Sequence, residues 1–343
     1  MVLEFFAMEF LGSNILSIDQ FDRKDIDLVF KTADSLFPFA SRQKITRVLQ
    51  GAILSNMFFE PSTRTRISFG SAFNMLGGEV RETTEVEATS LSKGESLYDT
   101  SRVLSGYSDV IVMRHPDVGS VAEFAEASRV PVINGGDGDN EHPSQALLDL
   151  FTIQKELESH KKDISSARIA LIGDLKYGRA VHSLCKILML YENVSIKLVS
   201  PSKLKLPEFL VSELQKKSIS FIETSDIKEG ISDVDILYMT RIQEERFDSS
   251  SEANKYKGLM SLNQDIYTKN CEPNTVIMHP LPRDSRADAN ELDDDLNQNP
   301  NLAIYRQTDN GLLIRMALFA LILGVSDKIH ETSSSVNWFS NKS

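Results

Sequence analysis

The sequence predicts an α/β protein of two domains, each a mostly parallel sheet flanked by helices. Short β-branched apolar runs alternate with stretches of helical periodicity along the whole chain. Almost every apolar run leads into a polar turn or one holding Gly or Pro. The 343 residues suit two domains at about 150 residues each.

In chain order, strands are expected at 52–59, 110–113, 130–133, 169–172, 195–199, 234–238 and 275–278. After the first, Phe69, Ala72, Phe73 and Leu76 supply the i, i+3, i+4, i+7 face of a helix, and Gly77-Gly78 stops it. A domain break fits near a helix over 142–158, which follows the Gly-rich NGGDGDN and leads into charged 156–163. The second half then starts its own strand–turn–helix series at Ala167. The apolar run 312–325, interrupted by Arg315, is too short to span a bilayer and reads as a buried helix near 311–324 that packs across domains.

Lys+Arg number 37 and Asp+Glu 49, so the net charge is −12. That balance argues against a nucleic-acid binder, which needs a basic face to displace counterions. It leaves room for a local basic pocket. Cys185 and Cys271 form no CxxC, and no Cys/His cluster has zinc spacing, so no metal site is expected and the compartment reads as reducing, hence cytoplasmic. The N-terminal segment has no basic n-region and carries Glu4 and Glu9, unlike a signal peptide, and Met8 is an alternative start. No membrane association is expected.

Ligands of open α/β sheets bind at the carboxyl ends of strands. The turns there are FEPSTRTR, MRHP, NGGDGDNEHPSQ, GDLKYGR, MTRIQ and HPLPR, and five of the six carry arginine. Such a set in an acidic chain points to anion binding. In the first, Ser62 and Thr63 are natural N-cap residues, and Arg64, Thr65 and Arg66 follow at a helix N-terminus. Free N–H groups, the dipole, hydroxyls and a guanidinium fork together suit a phosphate; a plain helix cap with solvated arginines explains one hydroxyl residue, not three with two arginines. Thr89, Ser90 and Lys93 lie in a polar stretch that is either a surface loop or a mobile cation over a phosphate. Arg114 ends a strand. His142 opens a helix with Gln145 one turn in, and the dipole there favours the neutral imidazole, able to polarise a carbonyl oxygen as in triosephosphate isomerase. GDLKYGR stands where a dinucleotide fingerprint would, but bulky Leu175 and Tyr177 obstruct a pyrophosphate. Arg241 and Gln243 share a side in an extended chain and suit a carboxylate, or are solvated among Glu244, Glu245 and Arg246. The two prolines of HPLPR make a rigid turn able to present carbonyls to an amide. No Ser-His-Asp set, Cys-His pair, Walker loop or kinase set is present.

Taken in this order, the six turns resemble the carbamoyltransferase family over about residues 15–325. STRTR marks the superfamily, while SKGES, GDLKYGRAVHSL, YMTRIQ and HPLPR favour its aspartate branch. An ornithine enzyme would be expected to carry HCLP and an SMG-type motif, and neither occurs. The resemblance implies that 1–142 with 308–343 bind carbamoyl phosphate and 143–307 bind L-aspartate, with no cofactor. It implies that Ser62, Thr63, Arg64 and Thr65 hold the phosphate, with Thr89 or Ser90 and Lys93 arriving from a neighbouring subunit of a homotrimer. Arg114 would bridge phosphate and carbonyl, His142 and Thr65 would polarise the carbonyl, and Gln145 with the Leu281 carbonyl would hold the carbamoyl amide beside a cis Leu281–Pro282 bond. Arg179 and Arg241, helped by Gln243, would grip aspartate. A regulatory chain is a possible partner, and the alternatives are a transferase acting on another amino acid, such as ornithine, or a non-catalytic scaffold. After HPLPR many relatives read VDEI, whereas here Asp284-Ser285-Arg286 follow and ANELDDD comes later.

Overall fold

The computed structural model describes residues 10–83, 94–286 and 289–338. They divide into two compact units, one of residues 10–147 with 310–338 and one of residues 148–309. Both boundaries fall inside helices, Pro143–Ser159 and Ile304–Ile322.

The strands are β1 (Lys44–Ile45), β2 (Ile53–Phe58), β3 (Glu79–Thr83), β4 (Val110–His115), β5 (Val132–Asp137), β6 (Arg168–Ile172), β7 (Ser195–Val199), β8 (Ser220–Thr224), β9 (Ile236–Met239), β10 (Val276–Met278) and β11 (Ser334–Ser335). In the first unit a parallel sheet runs β3-β2-β4-β5. In the second, a parallel sheet runs β10-β9-β6-β7-β8. Strands β1 and β11 form a small antiparallel pair.

Four of these strands escape the apolar-run reading: the two-residue β1 and β11, and the longer β3 and β8. β3 (EVRET) and β8 (SFIET) both show only alternate, partial burial, and both are sheet edges. An edge strand half in solvent carries charge where a central strand is apolar. The sequence also ends two strands too early: β4 takes in Arg114 and His115, and β5 continues through Asn134-Gly135-Gly136-Asp137 rather than turning there. Those glycines lie within a fully buried strand, and a Cβ on Gly135 would sit 3.3 Å from the Met113 carbonyl of β4. The last helix starts at Ile304, seven residues before the expected position, and ends just before Gly324, whose φ is +64°.

Within the first unit that helix supplies the core. Phe319 meets Phe69 and Phe73 edge-on at 5.9 and 5.0 Å. All three rings are buried, and Phe69, Ala72, Phe73 and Leu76 form the expected face. Arg315 is buried too; it donates to Ser68 Oγ at 2.9 Å and lies over the Phe69 ring. Among the described residues, no helix is long and apolar enough to cross a membrane, and no cluster of three His, Cys, Asp or Glu could hold a metal.

Candidate active site

Each sheet reverses its strand order once, and four of the five arginine turns lie at those two places; HPLPR follows the edge strand β10. In the first unit the chain steps outward from β2 to β3, then crosses to β4 on the other side of β2. The crevice beyond the carboxyl ends of β2 and β4 is therefore a topological switch point. Phe58 and Arg114 are register partners at its lip. In the second unit the chain runs β6-β7-β8 outward and returns to β9 on the other side of β6, with Ile172 opposite Met239. That switch point lies between GDLKYGR and MTRIQ.

At the first, Ser62 is the N-cap of helix Thr63–Met75, with extended backbone and no capping bond from its hydroxyl. The cap expected of that hydroxyl is not made, so the oxygen stays available to a ligand. No acidic residue sits in the helix's first turn, and the positive end is uncompensated there. Thr63 and Arg64 are exposed and Thr65 is buried. Arg114 is nearly buried, and its Nε donates to Glu60 Oε2 at 2.9 Å, as does Nη2. Glu60 thus parks the guanidinium beside the helix start.

His142 and its neighbour Glu141 are buried, at the entry to helix Pro143–Ser159. Asp137 builds that entry. Its carboxylate accepts from Glu141 N at 3.1 Å, Gly119 N at 3.0 Å, Asn134 Nδ2 at 2.9 Å and Asn140 Nδ2 at 3.0 Å. Gln145 lies one turn in, its N–H on the His142 carbonyl at 2.9 Å.

At the second switch point, Gly173 (φ +117°) lies so close to Thr240 that a Cβ would stand 2.2 Å from the Thr240 carbonyl. Only glycine fits there. Asp174 is fully buried; it accepts from Tyr177 N and Gln243 N, each at 3.0 Å. Burial raises the Asp174 pKa, and those backbone donors oppose it. Leu175 is buried with its N–H on Leu204 O, and Tyr177 stacks edge-on against Phe247 at 5.2 Å. Arg179 is the first residue of helix Arg179–Leu188. Arg241 forms a fork with Glu245, at 3.1 and 2.5 Å, and also donates to Ile242 O. Burial lowers the Arg241 pKa, but the Glu245 bonds outweigh it and the net shift is upward. Gln243 Nε2 donates to the Arg241 carbonyl at 3.3 Å.

In HPLPR, Leu281 has φ +59° and a cis bond to Pro282. A left-handed leucine costs roughly 1–3 kcal/mol and persists only where its surroundings hold it. Thr89, Ser90 and Lys93 lie outside the described residues.

The family profile for "Aspartate/ornithine carbamoyltransferase, carbamoyl-P binding domain" matches residues 13–155, and that for the "Asp/Orn binding domain" matches 165–322. The chain belongs to the aspartate/ornithine carbamoyltransferase family. A relative named aspartate carbamoyltransferase catalytic subunit, from Cellvibrio japonicus (strain Ueda107), is 65% identical over 334 residues, covering 97% of this chain and 99% of its own. One of the same name from Methanosarcina barkeri (strain Fusaro / DSM 804) is 46% identical over 318 residues, covering 93% and 99%. The structure of aspartate transcarbamoylase from Trypanosoma cruzi in complex with carbamoyl phosphate and aspartate superposes with a TM-score of 0.84 at 36% identity, covering 92% of this chain and 98% of that one. In this carbamoyltransferase the acids beside the arginines escaped the sequence reading. Glu60 pairs with Arg114 and Glu245 with Arg241, while Asp174 holds the backbone amides of Tyr177 and Gln243; an acid so placed reads as solvated until its partner is known.

Proposed function

We propose that the chain transfers the carbamoyl group of carbamoyl phosphate to the amine of L-aspartate, giving N-carbamoyl-L-aspartate and phosphate. The observation that carries this is the pair of switch points, one with a helix start free of acids in its first turn, which suits a phosphate, and one with the Arg241 fork, which suits a carboxylate. The relatives' names and the Trypanosoma cruzi complexes with carbamoyl phosphate, aspartate and carbamoyl aspartate support it.

Ser62, Thr63, Arg64 and Thr65 hold the phosphate at the helix N-terminus. Thr89 or Ser90 and Lys93 complete it from a neighbouring copy in a homotrimer. The word "subunit" in the relatives' names supports assembly, and a regulatory chain is a further partner on this reading. The uncharged aspartate amine attacks the carbamoyl carbon. Negative charge grows on the carbonyl oxygen, where Thr65, Arg114 and His142 donate. Gln145 and the Leu281 carbonyl, beside Pro282, orient the carbamoyl amide. Arg179 and Arg241, with Gln243, hold the two carboxylates. The tetrahedral intermediate collapses, phosphate leaves with its bonding pair, and the departing phosphate takes the amine proton. No covalent enzyme intermediate and no cofactor is needed. The reaction belongs to pyrimidine synthesis in the cytoplasm on this reading.

Phosphate release from carbamoyl phosphate by the purified chain, with L-aspartate or L-ornithine as acceptor, tests it. Release with aspartate supports the reading. Release with ornithine alone reassigns Arg241 and Gln243, and no release from a folded trimer points to a scaffold or a missing partner chain.

A further inference from the structure

Behind the HPLPR turn lies a buried pair that no step above uses. His279 and Glu291 are 1% and 5% exposed. Leu281 N–H donates to His279 Nδ1 at 2.8 Å, and His279 Nε2 lies 2.8 Å from Glu291 Oε1. The Glu291 carboxylate also accepts from Asp284 N at 3.1 and 3.3 Å. One carboxylate thus ties both flanks of the turn. The base of His279 is fixed as well, its own N–H bonded to Gln307 Oε1 at 3.0 Å. Gln307 in turn donates to Asp149, which accepts from Tyr238 Oη, each at 2.6 Å.

These bonds determine the tautomer. The Leu281 amide can only donate, so Nδ1 must be bare and Nε2 carries the proton toward Glu291. A doubly protonated ring would set N–H against N–H and release Leu281. Glu291 opens the acidic run Glu291–Asp295, which resembles solvated surface in the sequence, yet it is buried and its acceptor capacity is spent on this turn.

We propose that His279 and Glu291 are positioning residues for carbamoyl phosphate: Glu291 fixes the His279 tautomer, and His279 holds Leu281 in the left-handed conformation that presents its carbonyl to the carbamoyl amide. The proposal rests on the reading of Leu281 and Gln145 given above. It concerns the carbamoyl end alone, because on that reading Ser62, Thr63, Arg64 and Thr65 hold the phosphate end.

The test compares the KM for carbamoyl phosphate with the Ki of inorganic phosphate in the full-length enzyme. His279→Gln keeps a donor for Glu291 and loses the acceptor for Leu281. It is expected to raise the ratio of that KM to that Ki about tenfold, the size of an unpaired buried donor. His279→Asn places an amide oxygen where Nδ1 stands and is expected to stay within about threefold of the parent. Glu291→Ala should follow His279→Gln, and Glu291→Gln, which keeps an acceptor and the volume, should restore the parent ratio. Equal behaviour of His279→Gln and His279→Asn, or a parallel rise in both constants, would overturn the proposal. Gln145→Ala separates the two readings. If it shifts the ratio while His279→Gln does not, the clasp alone fails. If Gln145→Ala leaves the ratio unchanged, the carbamoyl-amide reading fails and the clasp with it.

Discussion

Asp174 accepts the backbone N–H of Gln243 at 3.0 Å, and so a buried carboxylate of one turn holds the other turn of the same switch point. Its second oxygen holds Tyr177 N–H in its own turn. Asp174→Ala leaves two part-buried amides without their acceptor. The expected result is a rise in KM for aspartate of about tenfold or more, with KM for carbamoyl phosphate nearly unchanged. Steady-state kinetics with each substrate varied in turn decide it; equal changes in both would remove the specific role.

Glu245 fills the carboxylate-binding edge of Arg241 in a bidentate pair. Such a pair orients the guanidinium, which alone would rotate freely. Glu245→Gln should therefore weaken aspartate rather than strengthen it, by about three- to tenfold in KM. A fall in KM would mean that Glu245 competes with substrate instead of orienting its ligand.

His142→Ala should lower turnover by about 10²–10³, the usual effect of removing one oxyanion donor. A loss below about tenfold would take His142 out of that role. Arg64→Ala should be worse, because charge is removed at the leaving phosphate. Near-normal turnover in that variant would undo the phosphate assignment.

Gly173→Ala sets a methyl 2.2 Å from the Thr240 carbonyl at a φ of +117°. Both the contact and the backbone oppose it. A destabilisation of about 2 kcal/mol or more is expected in urea titration. Stability within about 0.5 kcal/mol of the parent would show that the two turns can separate at no cost.

Asp235 predicts an acid transition. Burial would raise its carboxyl, but hydrogen bonds from Arg168 and Lys162 outweigh this and hold it at about 2, below the ordinary 3.8. A depressed folded value means that the unfolded chain binds the proton first. The stabilisation is thus complete above about pH 4 and is lost as pH falls toward 2. Asp235→Asn should be less stable than the parent at neutral pH, with the gap closing across that window. A constant gap would assign the shift elsewhere.

The central strands and the turns after β2, β6, β9 and β10 were legible because burial on both faces demands unbroken apolar runs, and strand ends demand turn chemistry; MRHP and NGGDGDN begin inside β4 and β5 instead. β3 and β8 were not, since an edge strand spends half its residues on solvent. The arginines could be picked out by position at strand ends. Their acids could not, for a distant reason: Glu60 meets Arg114 across 54 residues, and Glu291 meets His279 only after the chain has looped away and returned. Local sequence carries no trace of such a partner. Arg241 and Glu245 are the near case, four residues apart, where an ion pair could have been weighed against solvation from spacing alone.

The first unit is discontinuous, whereas the second is a single uninterrupted stretch. Phe69 and Phe73 find Phe319 only once the final helix exists, and Gly12 N–H waits for the Ile322 carbonyl. During synthesis the usual order, with the leading domain folding first, is thereby reversed. Residues 10–147 leave the ribosome early with the Phe319 contacts of Phe69 and Phe73 unmade, while residues 148–309 form one uninterrupted unit. The last-made helix acts as a seal on the core of the first unit.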